Sequence, residues 1–297
     1  MTHGDLDEDA LAAYREAGDI LATVLEEAAD RIEVGATHLD VAEFAEQRIR
    51  ELGGEPAFPA NISVDEEASH ASPGADDEAT FGEEVVCLDV GVHVDGYVAD
   101  AAETVDLAGR PELVEAAEEA LDAAIEAVGP GVHTGAVGAE IGDVIEAYGF
   151  NPVVNLTGHG LARWDAHTGP SVPNRAVDSG VELEPGDVIA VEPFASTGTG
   201  KVGEGSATEI YELEDDRRVR DRRARQLLET IRAEYAEFPF AARWLDDDRA
   251  AMSLRRLTAS GVLTSYPVLT EDAGTLVSQA EHTLIVTEDG CEVTTAR

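Results

Sequence analysis

Lysine is nearly absent from this 297-residue chain: Lys201 is the only one, so 19 of the 20 basic residues are arginines. They stand against 62 aspartates and glutamates, which leaves a formal charge of −42. A surface so acidic repels nucleic acid and anionic membranes at ordinary salt, so neither is expected as a partner. It also strains the folded chain by self-repulsion, which dissolved salt screens. The acids are spread through periodic segments and do not collect in a tail. That distribution favours a folded, halophilic surface over disorder.

Cysteine is scarce as well. Cys87 and Cys291 lie far apart and fit no CxxC pattern. They read as small buried apolar residues or free thiols, in preference to a disulfide. Aromatic residues reach only 5% within a 43% apolar fraction, so Val, Leu, Ile and Ala must fill most of the core. The chain shows neither a basic-plus-apolar leader nor a run of about 18 apolar residues. A soluble, cytoplasmic, monomeric protein is the expectation.

Residues 7–31 place Leu11, Tyr14, Ile20, Leu21, Val24 and Leu25 at helical spacing among acids, and Ile32 follows directly. A second helix is expected from Leu39 to Leu52, stopping at Gly53-Gly54. Ala57–Val64 reads as loop then strand, 65–82 as polar loop, and Val85–Leu107 as strand. After Pro111 the order repeats: a helix over Glu112–Val128, a Gly-Pro-Gly break, and a helix ending at Gly149. Val34-Gly35-Ala36-Thr37-His38 and Gly131-Val132-His133-Thr134-Gly135 occupy matching places. A duplicated half-domain of two helices plus antiparallel strands explains this; chance likeness of two helix pairs is the alternative. From Tyr211 to Tyr266 the chain becomes rich in Arg and Glu, with helices over Arg222–Tyr235 and Ala250–Ala259. Gly261-Val262-Leu263 reads as a cap and return strand, and Glu281–Val293 as a strand-rich tail. The expected division is 1–210 plus 267–297 as the parent domain, with 211–266 inserted.

Val85–Asp100 has the pattern of a β-hairpin turning at Asp95-Gly96. That turn sets Val94 opposite Tyr97 and Gly91 opposite Asp100. Asp89, two residues before Gly91, then shares a face with Asp100 at a diagonal Cβ separation of about 7 Å. Two acids on a buried strand pair are costly without compensation. Either one of them caps a turn or meets an arginine, or a divalent cation neutralises both.

Three later segments offer further ligands: Gly158-His159-Gly160, the strand ending in Glu192-Pro193-Phe194, and Glu281-His282-Thr283. Each is weak alone. Taken in order with Phe58-Pro59-Ala60-Asn61-Ile62-Ser63, Asp89, Asp100, His167, Gly169 and Pro173-Asn174, the chain resembles type 2 methionine aminopeptidases in the archaeal form without a long N-terminal extension. The resemblance covers nearly the whole chain. It implies an α+β pita-bread fold with pseudo-twofold duplicated halves, and it identifies the helical block as the type 2 insert.

The same resemblance implies two divalent metal ions (Co, Mn, Fe or Zn) held by Asp89, Asp100, His159, Glu192 and Glu281. Asp100 and Glu281 would bridge the ions, Asp89 would hold one, and His159 with Glu192 the other. Four carboxylates balance two divalent charges, and a neutral imidazole adds none. A water shared by the ions would attack the carbonyl after the N-terminal methionine, with Glu192 shuttling the proton. His70 and His167 would flank the scissile bond as catalytic and substrate-binding residues. Phe58 and Tyr266 would line the methionine pocket, where Ala166 is smaller than the aliphatic residue expected. His3, His38, His93 and His133 are left as structural or surface residues, and His282 alternates to the opposite strand face. The implied partners are nascent polypeptide N-termini, with the ribosome as a candidate. Xaa-Pro aminopeptidases and dipeptidases share the fold, but they carry a larger N-terminal domain. Non-catalytic pita-bread binding proteins lose ligands and tend to be basic.

Overall fold

The computed structural model describes residues 6–296 except Asp216, Arg218 and Asp248. His3 lies outside the described residues. Helix α1 (Glu8–Ala29) begins where the Asp7 side chain accepts from Ala10 N, and it buries Tyr14, Ala17, Leu21, Val24, Leu25 and Ala28 on one stripe. Helix α2 (His38–Leu52) is capped by Thr37 and stops at Gly53, whose φ of 97° suits glycine. The chain then forms β1 (Glu55–Pro56), β2 (Asn61–Val64) and β3 (Glu67–Ser69). The long hairpin of β4 (Val85–Val94) and β5 (Tyr97–Asp106) follows. Strand β4 pairs with β1 and β2 on one side and β5 on the other. Helices α1 and α2 pack behind it on Ile62, Leu88 and Val92, around the first core.

The second half repeats this plan with α3 (Pro111–Ala127), α4 (Thr134–Ala147) and β6 (Asn151–Pro152). Its hairpin joins β7 (Thr157–Ala162) to β8 (Asp165–Pro173), and β9 (Val188–Val191) and β10 (Phe194–Ser196) come next. The two hairpin tips interlock: Trp164 N donates to Gly96 O at 2.8 Å, and Arg163 Nε to Asp95 O at 2.9 Å.

Strand β11 (Gly203–Leu213) leads into α5 (Arg222–Glu234), β12 (Phe240–Ala241) and α6 (Ala250–Ala259). The chain returns along β13 (Leu263–Thr270), β14 (Val277–Gln279), β15 (His282–Val286) and β16 (Cys291–Val293). The sheet β12-β11-β13-β3 carries this helical block, which has its own core of Leu228, Ile231, Phe240, Leu254 and Leu257. Strands β11 and β13 continue through residues 211 and 266, with register shifts between Glu204 and Thr208 and between Thr208 and Ile210. A five-stranded sheet, β16-β15-β9-β7-β8, completes the second half.

The expected polar loop at 65–82 contains strand β3, which pairs with β13 at Ser69↔Leu269. That pairing and the buried Ala68, which packs with Val153, Phe194 and Val277, hold it in place, although Glu67 and Ser69 have no apolar alternation of their own. Both cysteines are free. No helix among the described residues is long and apolar enough to cross a membrane. Glu271 is buried and fixes the 196–201 loop, accepting from Ser196, Thr199, Gly200 and Lys201. Burial alone would raise its pKa; the hydrogen bonds from Thr199, Lys201 and Ser196 outweigh that and hold the carboxyl below its ordinary range.

Candidate metal centre

Asp95 and Gly96 both adopt positive φ, 51° and 85°, as a tight two-residue hairpin turn requires. The register follows, with Val94 opposite Tyr97 and Gly91 opposite Asp100. Asp89 and Asp100 therefore share a face. Between them Gly91 has a packing role: a Cβ there would stand 2.2 Å from Phe58 Cε1, so only glycine lets that ring lie on the sheet. Asp100 is gripped by its backbone. Thr283 Oγ1 accepts from Asp100 N at 2.7 Å and donates to Asp100 O at 2.8 Å. The bridge between Ala102 and Glu281 stitches β5 to the second half and delivers Glu281 beside Asp100.

His159 stands on β7 between glycines pressed by neighbouring backbone. A Cβ on Gly158 would meet Ala190 O at 2.3 Å, and one on Gly160 would meet Gly169 O at 2.2 Å. His159 Nε2 lies 3.8 Å from Asp100 Oδ2 and 3.5 Å from Glu192 Oε1. Glu192 follows the apolar strand β9 directly. Asp100, His159 and Glu281 each bring one ligand atom within 4.8 Å of the others, and Asp89 and Glu192 line the same cavity. All five residues implied by the sequence thus meet in one place.

No arginine or lysine among the described residues lines this cavity. Burial pushes Asp89 up to about 7. Burial and the charge of the neighbouring acids push Asp100, Glu192 and Glu281 well above the ordinary carboxylate range. One oxygen on each of Asp89, Asp100 and Glu281 is buried without a hydrogen-bond partner. His159 moves the other way, down to about 3, through burial and the proximity of His167. A neutral imidazole and hard oxygens with vacant lone pairs make a donor set that fits divalent cations.

The two further histidines flank this cluster. The His167 ring centroid is 4.4 Å from that of His159, and burial lowers its pKa. His70 holds φ at +62°, a left-handed conformation that costs a non-glycine residue about 1–3 kcal/mol. Its Nδ1 lies 3.3 Å from Pro267 O, its ring meets Tyr266 edge-on at 5.3 Å, and burial lowers its pKa to about 4. The cavity of about 160 Å³ is walled by Phe58, Ile210, Pro239 and Tyr266. Ala166 does not line it but packs in the cluster containing Phe58 and Leu161, because its side chain alternates away from the cavity that His167 faces. His93 stacks on Phe238 and His38 on Phe81, while His282 turns to Thr295.

Sequence reasoning passes over several residues here. Gln279 Nε2 donates to Glu281 Oε2 at 2.9 Å, and its amide also bonds Asp89. Its spacing of two from Glu281 is the available signal. Asn61 faces Asp89 across the strand pair and lines the cavity. Ile210 and Pro239 come from the stretch around the helical block, and no local pattern marks them.

Residues 12–288 match metallopeptidase family M24. The chain belongs to that family. It is 51% identical over 291 residues to a methionine aminopeptidase of Archaeoglobus fulgidus, covering 98% of this chain and 100% of that one. Its fold is the pita-bread fold of M24 proteins. A solved thermophilic Arx1 superposes with a TM-score of 0.87 at 19% identity, over 97% of this chain and 91% of that one. The methionine aminopeptidase of Thermotoga maritima gives 0.73 at 24%, over the whole of both chains.

The raised carboxyls fix the sign of a pH effect. Asp89 titrates near 3.8 unfolded and about 7 folded, so its stabilising contribution is complete below about 4 and lost as pH rises through 7. With a chelator present, the melting temperature in molar KCl should fall between pH 5 and pH 8, and less steeply in Asp89→Asn. An equally steep fall in both proteins would contradict the shared burial of these charges.

Proposed function

We propose that this chain is a type 2 methionine aminopeptidase that removes the initiator methionine from new polypeptides with a small second residue. One observation carries the reading: four buried carboxylates and one neutral imidazole meet at the head of a single-residue cavity with apolar walls. The M24 membership and the high identity to a methionine aminopeptidase support it.

In this reading Asp89, Asp100, His159, Glu192 and Glu281 would together hold two divalent ions, Mn, Fe, Co or Zn. Bound there, the ions supply Lewis-acid polarisation of the scissile carbonyl and an easily deprotonated water. The chain's own residues do the rest. Phe58, Ile210, Pro239 and Tyr266 enclose the methionine side chain. His70, held neutral by burial, and His167, on the cavity wall, present N–H groups to the oxygen that gains charge. Glu192 takes the proton released by the attacking water and returns it to the leaving amine. Thr283 and Gln279 keep the acids in place while this happens.

The 211–266 block is read as a subdomain that walls the pocket. The acidic surface is read as adaptation to a salt-rich cytoplasm, where the chain works as a monomer on nascent N-termini, at or near the ribosome.

Two measurements bear on this. The Mn-loaded protein should release methionine from Met-Ala-Ser and spare a Met-Lys peptide; release from Ala-Pro-Ser but not from Met-Ala-Ser would overturn the assignment in favour of Xaa-Pro cleavage. The Debye length falls from about 30 Å at 0.01 M salt to about 3 Å at 1 M. The melting temperature should therefore climb steeply over that range, and an unchanged midpoint would refute the halophilic reading alone.

A further inference from the structure

A second buried polar cluster lies outside the cavity, where the helical block meets the first half. Glu46 on α2 is only 4% exposed, and its carboxylate accepts from Ala60 N at 3.1 Å and from Trp244 Nε1 at 2.7 Å. It also pairs with the Arg243 guanidinium, whose side chain is 3% exposed. Arg243 and Trp244 lie in one helical turn directly after β12. The other arm of Arg243 donates to Ser72 Oγ at 2.8 Å and to Pro73 O at 3.1 Å, and Ser72 Oγ donates to Ala60 O at 2.9 Å.

Two stretches of chain are tied by this cluster, and each carries a residue of the reaction centre. Ala60 stands two residues after Phe58, and Ser72 two residues after His70. Ile62 N adds a bond to Ala71 O at 2.6 Å. The backbone of His70 is in the left-handed region, which a histidine does not hold unless its surroundings impose it. A buried ion pair stabilises poorly, because desolvation offsets much of its attraction, and apolar residues of like volume would pack as well. What the forked guanidinium supplies is direction: it fixes Ser72 and Pro73 at a set distance from Glu46.

We infer that Arg243 is a positioning residue for the reaction, holding the 70–73 segment so that the His70 ring faces the scissile bond. The helical block thereby takes part in turnover through Arg243 as well as in the pocket wall. This rests on the reading of the chain as a methionine aminopeptidase and extends it to a residue that touches no substrate.

A double-mutant cycle on the full Mn-loaded chain in molar KCl decides the point, with kcat measured on Met-Ala-Ser. Arg243→Met should lower kcat about 10–100-fold in the otherwise unaltered protein, but less than about 3-fold in His70→Ala, because the ring it positions is gone. Ser72→Ala, a smaller change that keeps the ion pair, should show the same pattern with a loss of about 3–10-fold. If Arg243→Met does not fold, the Ser72→Ala cycle decides alone. Equal losses in both backgrounds, or an undiminished kcat, would overturn the inference. A failure of the underlying functional reading would appear separately, as no methionine release by the unaltered chain.

Discussion

Four carboxylates share one desolvated cavity, and among the described residues no arginine or lysine lines it to offset their charge. Their mutual repulsion is the constraint that the surrounding structure must withstand. It is met by anchoring three of the acids, Asp89, Asp100 and Glu281, from behind. Asp100 is fixed at both ends of its backbone by Thr283, and Glu281 by its backbone bridge to Ala102. Gln279 spans Asp89 and Glu281. Asp89 stands in the middle of the long hairpin of the first half. A polypeptide that merely avoided charge would not hold these side chains together. Divalent cations turn the same repulsion into attraction, and folding and binding then become one equilibrium.

The duplicated architecture serves this arrangement. Each half supplies a hairpin, the tips lock through Trp164 and Gly96, and the acids lie where the halves meet. The first half brings Asp89 and Asp100; the second brings His159, Glu192 and Glu281. Glycine fixes the spacing where backbones approach most closely, at Gly91 under Phe58 and on both sides of His159. The helical block closes the cavity through Pro239 and Tyr266 and reaches the first half through Arg243.

Local chemistry makes the hairpin legible in the sequence: a two-residue Asp-Gly turn and a period of two are enough to set the Asp89–Asp100 geometry. Helices α1 to α6 are legible for the same reason, since caps and apolar stripes are local signals. The meeting of Glu281 with Asp100 is not, because nothing in either segment names its partner; only the resemblance links them. Strand β3 escapes a sequence reading because its pairing is entirely tertiary. Glu46 and Arg243 look like solvated charges in sequence, and burial alone reveals their role. Ala166, expected at the pocket, packs beneath it, since strand alternation turns it away from the side that His167 occupies.

Calorimetric titration of the metal-free protein with Mn(II) in molar KCl, paired with a thermal melt, tests the central claim most directly. A cluster built to be neutralised should take up two equivalents of cation. Its melting temperature should then rise by about 10 °C or more once the ion is in thousandfold excess over its dissociation constant. Weak, non-stoichiometric uptake with an unmoved melting temperature would contradict it.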